Sequence, residues 1–106
     1  MTSAEFVENC YQEKQEMLKT YFDEKNETYV GELIKQMVSK GITNDEMKSL
    51  INSVMNESFY TMLLALDGEA ALGDSQVMYE LYDDNHNLLT GSGEIESTAF
   101  EMFMQD

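Results

Sequence analysis

Ser58-Phe59-Tyr60-Thr61-Met62-Leu63-Leu64-Ala65-Leu66-Asp67-Gly68 is the most apolar run of this chain, and its ending divides the sequence in two. Apolar residues before it recur at helical spacing. Beyond Gly68 they alternate. The run therefore reads as the last turns of a central helix, stopped at Asp67-Gly68-Glu69, with other elements packed around Phe59 to Leu66.

Upstream, the periodicity predicts three helices. The first covers residues 3–26, with Ser3 as its cap, Glu5 and Glu8 in the first turn, and a stripe of Phe6, Val7, Cys10, Met17, Leu18 and Tyr21. The second covers residues 27–40, with Val30, Leu33, Ile34, Met37 and Val38 on one face. Gly31 weakens it, and Gly41 sits where a glycine ends a helix. Residues 26–28 either break one helix from the next or bend a single long one. Thr43 and Glu46 have capping-box spacing and open the third helix, which runs to Leu66. Its stripe comprises Met47, Leu50, Ile51, Val54, Phe59, Met62, Leu63 and Leu66. From Phe59 onward it is apolar almost all round, as in a helix with neighbours on several sides.

Downstream, Val77, Tyr79 and Leu81 alternate with Met78, Glu80 and Tyr82, which predicts a strand. Asp83-Asp84-Asn85-His86-Asn87 is turn chemistry, and Leu88-Leu89-Thr90 would be the returning strand before Gly91-Ser92-Gly93. A short helix from Glu94 to about Gln105 closes the chain. The expectation is a single α+β domain over residues 1–106: a three-helix N-terminal part, a β-hairpin and a short C-terminal helix.

Charge is the strongest compositional signal. The 106 residues carry 21 acids, six lysines and no arginine, a net charge of −15. All six lysines lie in the first 48 residues, where ten acids leave −4. From Ser49 on, eleven acids stand without a single Lys or Arg. Such a field repels nucleic acid and anionic lipid, and steers basic partners inward. A solubilising surface is the plainer use of the same charge. No apolar run approaches the ~20 residues of a membrane span, and the polar, acidic opening lacks a signal peptide's pattern, so a cytoplasmic protein is expected.

Motifs for chemistry are sparse. One cysteine, Cys10, and one histidine, His86, exclude a Cys/His zinc cluster, and Cys10 sits within an apolar stripe. Asp83, Asn85, Asn87 and Glu94 fall at positions 1, 3, 5 and 12 of a calcium-loop pattern, but Leu88 occupies the glycine position. A plain turn is the simpler reading. Phosphate-binding glycine motifs are absent, and carboxylates are too numerous for any pair to stand out as an acid–base couple. No catalytic, cofactor or metal site is assigned. The nine methionines read mainly as core filler, with Met55, Met78, Met102 and Met104 off the clearest stripes.

Phe59-Tyr60, Leu63-Leu64 and Leu66-Asp67-Gly68 on a helix, then Tyr79-Glu80-Leu81-Tyr82-Asp83, then Gly93-Glu94-Ile95-Glu96, form a pattern similar to that of small acidic bacterial proteins of the immunity type. In size and charge the chain also resembles phage anti-defence inhibitors, including anti-CRISPR proteins. The likeness covers less than half the chain and carries no catalytic signature. It implies a protein inhibitor, as a monomer or homodimer, that covers the basic, nucleic-acid-handling face of a toxin or defence nuclease, in the manner of a nucleic-acid mimic. Charge and placement around the predicted hairpin, and not the likeness, give the residues expected at that contact: Asp67, Glu69, Asp74, Glu80, Tyr82, Asp83, Asp84, Glu94 and Glu96, with Phe100 and Phe103 as further anchors. The alternatives are a structural or oligomerisation subunit, or an adaptor, and a calcium-responsive module.

Overall fold

The computed structural model describes residues 1–105; Asp106 lies outside them. Helix α1 spans Ser3–Phe22, α2 Tyr29–Ser39, α3 Asn44–Leu66 and α4 Glu94–Ala99, and α4 runs on into a π-helical turn, Phe100–Met104.

The helix ends follow local chemistry. Thr2, not Ser3, caps α1: its hydroxyl accepts the Glu5 N–H at 3.1 Å while the Glu5 carboxylate accepts the Thr2 N–H at 2.8 Å. Ser3 has Phe6 at the place where the box needs a carboxylate. Freed from capping, the buried Ser3 hydroxyl donates to the Leu89 carbonyl at 2.7 Å and ties α1 to the far part of the chain. The same Thr–Glu box opens α3 at Thr43 and Glu46. Between α1 and α2 the chain does break. Asp23 turns extended, and its carboxylate accepts the Lys25 N–H at 2.9 Å and the Asn26 side-chain amide at 3.1 Å. Gly31 has a packing reason: a Cβ there would lie 3.2 Å from the Tyr21 carbonyl and 2.9 Å from the Thr28 hydroxyl that caps α2. Its absence lets the first turn of α2 close onto the end of α1.

Helices α1 and α3 run antiparallel, with Val7 against Leu63 at one end and Lys14 against Asn52 midway. The core gathers at the Val7 end: Val7, Leu63, Ile95, Ala99 and Phe103 are buried together, flanked by Phe6, Cys10, Tyr11, Phe59, Tyr60, Leu66 and Met102. The Phe103 ring stacks on Phe59 at 5.6 Å and meets Tyr11 edge-on at 5.3 Å. Phe59, Tyr60, Leu63 and Leu66 thus line the core, while Leu50, Val54 and Met62 of the same predicted stripe are 60%, 53% and 51% exposed. Helix α3 has 23 residues, a length of about 34 Å, and it draws the molecule out to 47 × 29 × 25 Å.

The α+β expectation is overturned. Among the described residues there is no strand and no sheet, so no β-hairpin exists. Residues 69–93 form an irregular excursion from the end of α3 to the start of α4, with isolated bridges only at Leu72–Ser75 and Tyr82–Leu88. The reason lies in Thr90. Its hydroxyl accepts the Leu81 N–H at 3.2 Å and donates to the Tyr79 carbonyl, so a side chain takes two groups that a backbone ladder would need. Two backbone bonds survive beyond it, Leu89 N–H to the Leu81 carbonyl at 2.7 Å and Asp83 N–H to the Asn87 carbonyl at 3.1 Å, and they make the single Tyr82–Leu88 bridge. Val77 and Met78 remain exposed, so the alternation buries neither face as a packed strand would.

Candidate functional site

The excursion carries most of the residues expected at a partner contact; it is anchored at three places and tightened by one turn of its own. Asp67 caps α3 and is 2% exposed. Its carboxylate accepts the backbone N–H of Gly91 at 2.7 Å and of Glu96 at 3.3 Å. Leu72 and Ser75 exchange backbone hydrogen bonds at 2.8 and 3.2 Å around Gly73-Asp74, which sets Asp74 in a tight turn. Met78 lies over Gly68, whose φ of 77° and lack of a Cβ admit it. Leu89 and Thr90 are buried.

Asp83 organises the outer loop. Its carboxylate accepts the backbone N–H groups of Asn85 and Asn87, each at 2.9 Å, the Asn87 side-chain amide at 2.9 Å, and the Met1 ammonium at 2.9 Å. These donors, Asn87 foremost, hold its pKa far below the usual carboxylate range. The Met1 ammonium is correspondingly raised, chiefly by its bond to Asp83. His86 completes the turn at φ 65°, and donates its backbone N–H to the Asp83 carbonyl at 3.1 Å.

The nine residues expected at the contact therefore separate by role. Asp67 is buried and Asp83 is consumed in its loop, so neither offers a free carboxylate. Glu69, Asp74, Glu80, Asp84 and Glu94 are exposed, and Glu96 is half-buried. Tyr82 is 50% exposed and donates its hydroxyl to Glu80 at 3.0 Å, which raises its pKa. Of the further anchors, Phe100 is exposed, whereas Phe103 belongs to the core. Leu72, Val77, Met78 and Leu88, which the sequence reading did not assign to the site, stand exposed between the acids. Their signal was the failure of the strand pattern to find a buried side.

Two ion pairs form among the described residues, Met1 amine to Asp83 at 2.9 Å and Lys35 to Glu32 at 3.6 Å. Within residues 49–105 only Asp83 meets a cation, and the other carboxylates there have no counter-charge. Among the described residues no group of three or more His, Cys, Asp or Glu is placed to hold a metal ion, and no helix is long and apolar enough to cross a membrane. Burial pushes the Cys10 thiol pKa up, which disfavours a reactive thiolate.

Sequence reasoning also missed Lys14, which is 1% exposed on α1 and lines a cleft against α3. Its place was legible as the gap in the stripe running Val7, Lys14, Leu18, Tyr21. No family model, curated protein or solved structure matches this chain.

Proposed function

We propose that this chain is a stoichiometric protein inhibitor that covers the basic, nucleic-acid-handling face of a cytoplasmic partner, such as a toxin nuclease or a defence nuclease. The observation that carries this reading is the excursion itself. Exposed carboxylates without a counter-charge at Glu69, Asp74, Glu80 and Asp84 alternate with exposed Leu72, Val77, Met78, Tyr82 and Leu88 on an anchored segment without a lysine or arginine. Unpaired carboxylates steer a basic surface in and raise the association rate, and the apolar and tyrosine side chains slow its release. A groove lined with Lys and Arg for phosphates accepts carboxylates on the same electrostatic grounds.

The test begins with capture from bacterial lysate, elution by a salt gradient and an activity assay on the eluted enzyme. A basic nuclease that is released by salt and inhibited at one-to-one stoichiometry supports the reading. The quadruple variant Glu69→Gln, Asp74→Asn, Glu80→Gln, Asp84→Asn then associates more slowly, with a flatter salt dependence. A diffuse spread of basic proteins with no enzyme inhibited would sink it.

A second reading, a homo-oligomeric subunit, draws on exposed Leu50 and Val54, one turn apart on α3. Sedimentation velocity over a range of concentrations separates the two, because an oligomer seam must be occupied and an inhibitor can be a monomer.

A further inference from the structure

Five of the six lysines are exposed; Lys14 is not. Its Nζ donates to the Asn52 side-chain oxygen at 2.7 Å and lies 4.7 Å from the centre of the Tyr11 ring. No carboxylate among the described residues is within ion-pair range of it. An ammonium has three donors, and the described residues engage one. A buried ammonium without a counter-charge is costly, and burial lowers the Lys14 pKa accordingly. One helical turn beyond Asn52, the Asn56 side-chain oxygen is also buried and has no hydrogen-bond partner. Two under-satisfied polar groups, a donor on α1 and an acceptor on α3, thus belong to facing helices.

Both line a cleft of about 530 Å³ between α1, α3 and the π-helical turn, against the Phe103 side chain. That volume is in the range of small-ligand sites. Among the described residues the local charge is reversed relative to the rest of the molecule, since Lys14 and Lys48 line the cleft with Asp45 as the one acid. A ligand that satisfies both groups presents a carboxylate oxygen to Lys14 and an N–H donor to Asn56. It also carries no net charge, because the field of a −15 chain repels free anions. An α-amino acid zwitterion meets all three conditions.

We infer that the Lys14–Asn52–Asn56 cleft binds a free α-amino acid, with its carboxylate on Lys14 and its ammonium on Asn56. This site is independent of the acidic excursion and of the inhibitor reading.

The test is an NMR titration of the whole chain with each proteinogenic L-amino acid in turn, followed by the amide and the deamino acid of the one that binds best. At least one amino acid gives saturable shifts at the Asn52 and Asn56 side-chain amides and at the Lys14 ε-methylene. Its amide, which lacks the carboxylate, and its deamino analogue, which lacks the ammonium, bind about tenfold or more weakly. Lys14→Met, of similar length and uncharged, weakens binding by about the same factor. Asn56→Ala leaves the Lys14–Asn52 bond in place and also weakens it, so the question is decided even where Lys14→Met fails to fold. Absence of saturable shifts with every amino acid overturns the inference. So does equal binding of the amide, or unchanged affinity in Asn56→Ala.

Discussion

Asp67 accepts the backbone N–H of Gly91 at 2.7 Å, joining the residue that caps α3 to a turn 24 residues further along the chain. The other carboxylate oxygen takes the Glu96 N–H at the start of α4. A single buried side chain therefore fixes where the excursion leaves the body and where it returns. Asp67→Ala strands both N–H groups and is expected to cost about 3 kcal/mol, with Asp67→Asn intermediate because an amide can satisfy one of them. Urea unfolding of the two variants checks the order. A cost below about 0.5 kcal/mol for the alanine, the range of an ordinary surface substitution, would contradict the role.

His86 holds a left-handed backbone at φ 65° without a side-chain hydrogen bond. A non-glycine residue pays roughly 1 kcal/mol there, offset in part by the greater freedom of glycine in the unfolded chain. His86→Gly is expected to stabilise the protein by a few tenths of a kcal/mol up to about 1 kcal/mol. The midpoint of urea unfolding would rise, with an unchanged slope.

The Asp83 loop makes stability pH-dependent on two sides. The folded-state pKa of Asp83 is depressed, so its contribution is complete above the ordinary value of 3.8 and fades as pH falls below it toward the folded value. The Met1 amine is raised above its ordinary 8.0, so its contribution is complete below pH 8.0 and fades as pH rises through the elevated value. Asp83→Asn is therefore expected to remove both dependences, and N-terminal acetylation the alkaline one alone. Hydrogen exchange at the Asn87 amide, followed against pH, reads the loop directly.

Phe100 and Phe103 lie three residues apart with opposite fates. Phe103 is sandwiched against Phe59 and Tyr11, whereas Phe100 is 46% exposed and meets Tyr60 edge-on at 6.3 Å. Phe103→Ala should cost about 3–5 kcal/mol and Phe100→Ala about 1 kcal/mol or less. Thermal unfolding of the pair ranks them, and equal losses would mean that the core does not centre on Phe103.

What could be read directly was whatever depends on a few adjacent residues. The Thr43–Glu46 box and the helix exit at Asp67-Gly68 involve side chains within one or two turns of the groups they bond; residues 26–28 left a break and a bend equally open, and the turn at Asp23 makes it a break. Ser3 was misjudged by one position because a cap and a buried hydroxyl look alike until Leu89 arrives from the other end of the chain. The acidic residues of the candidate site were all visible, but not which of them are spent internally. Asp67 and Asp84 are the same residue type; one is 2% exposed and bonded to two backbone amides, and the other faces water.

Periodicity, capping and composition are properties of the chain alone, so the third helix, the apolar stripes within residues 3–40, the uneven charge and the lack of a Cys/His metal cluster were legible without a structure, whereas the division of residues 3–40 into α1 and α2 was not. The tertiary structure decided whether residues 77–90 would be strands. Alternation is a statement about side-chain direction, and a sheet also needs backbone partners; here the Thr90 hydroxyl takes two of them. Tertiary contact alone likewise brought Lys14 against Asn52, since burying a charge inside an apolar stripe depends on what the facing helix supplies 38 residues away.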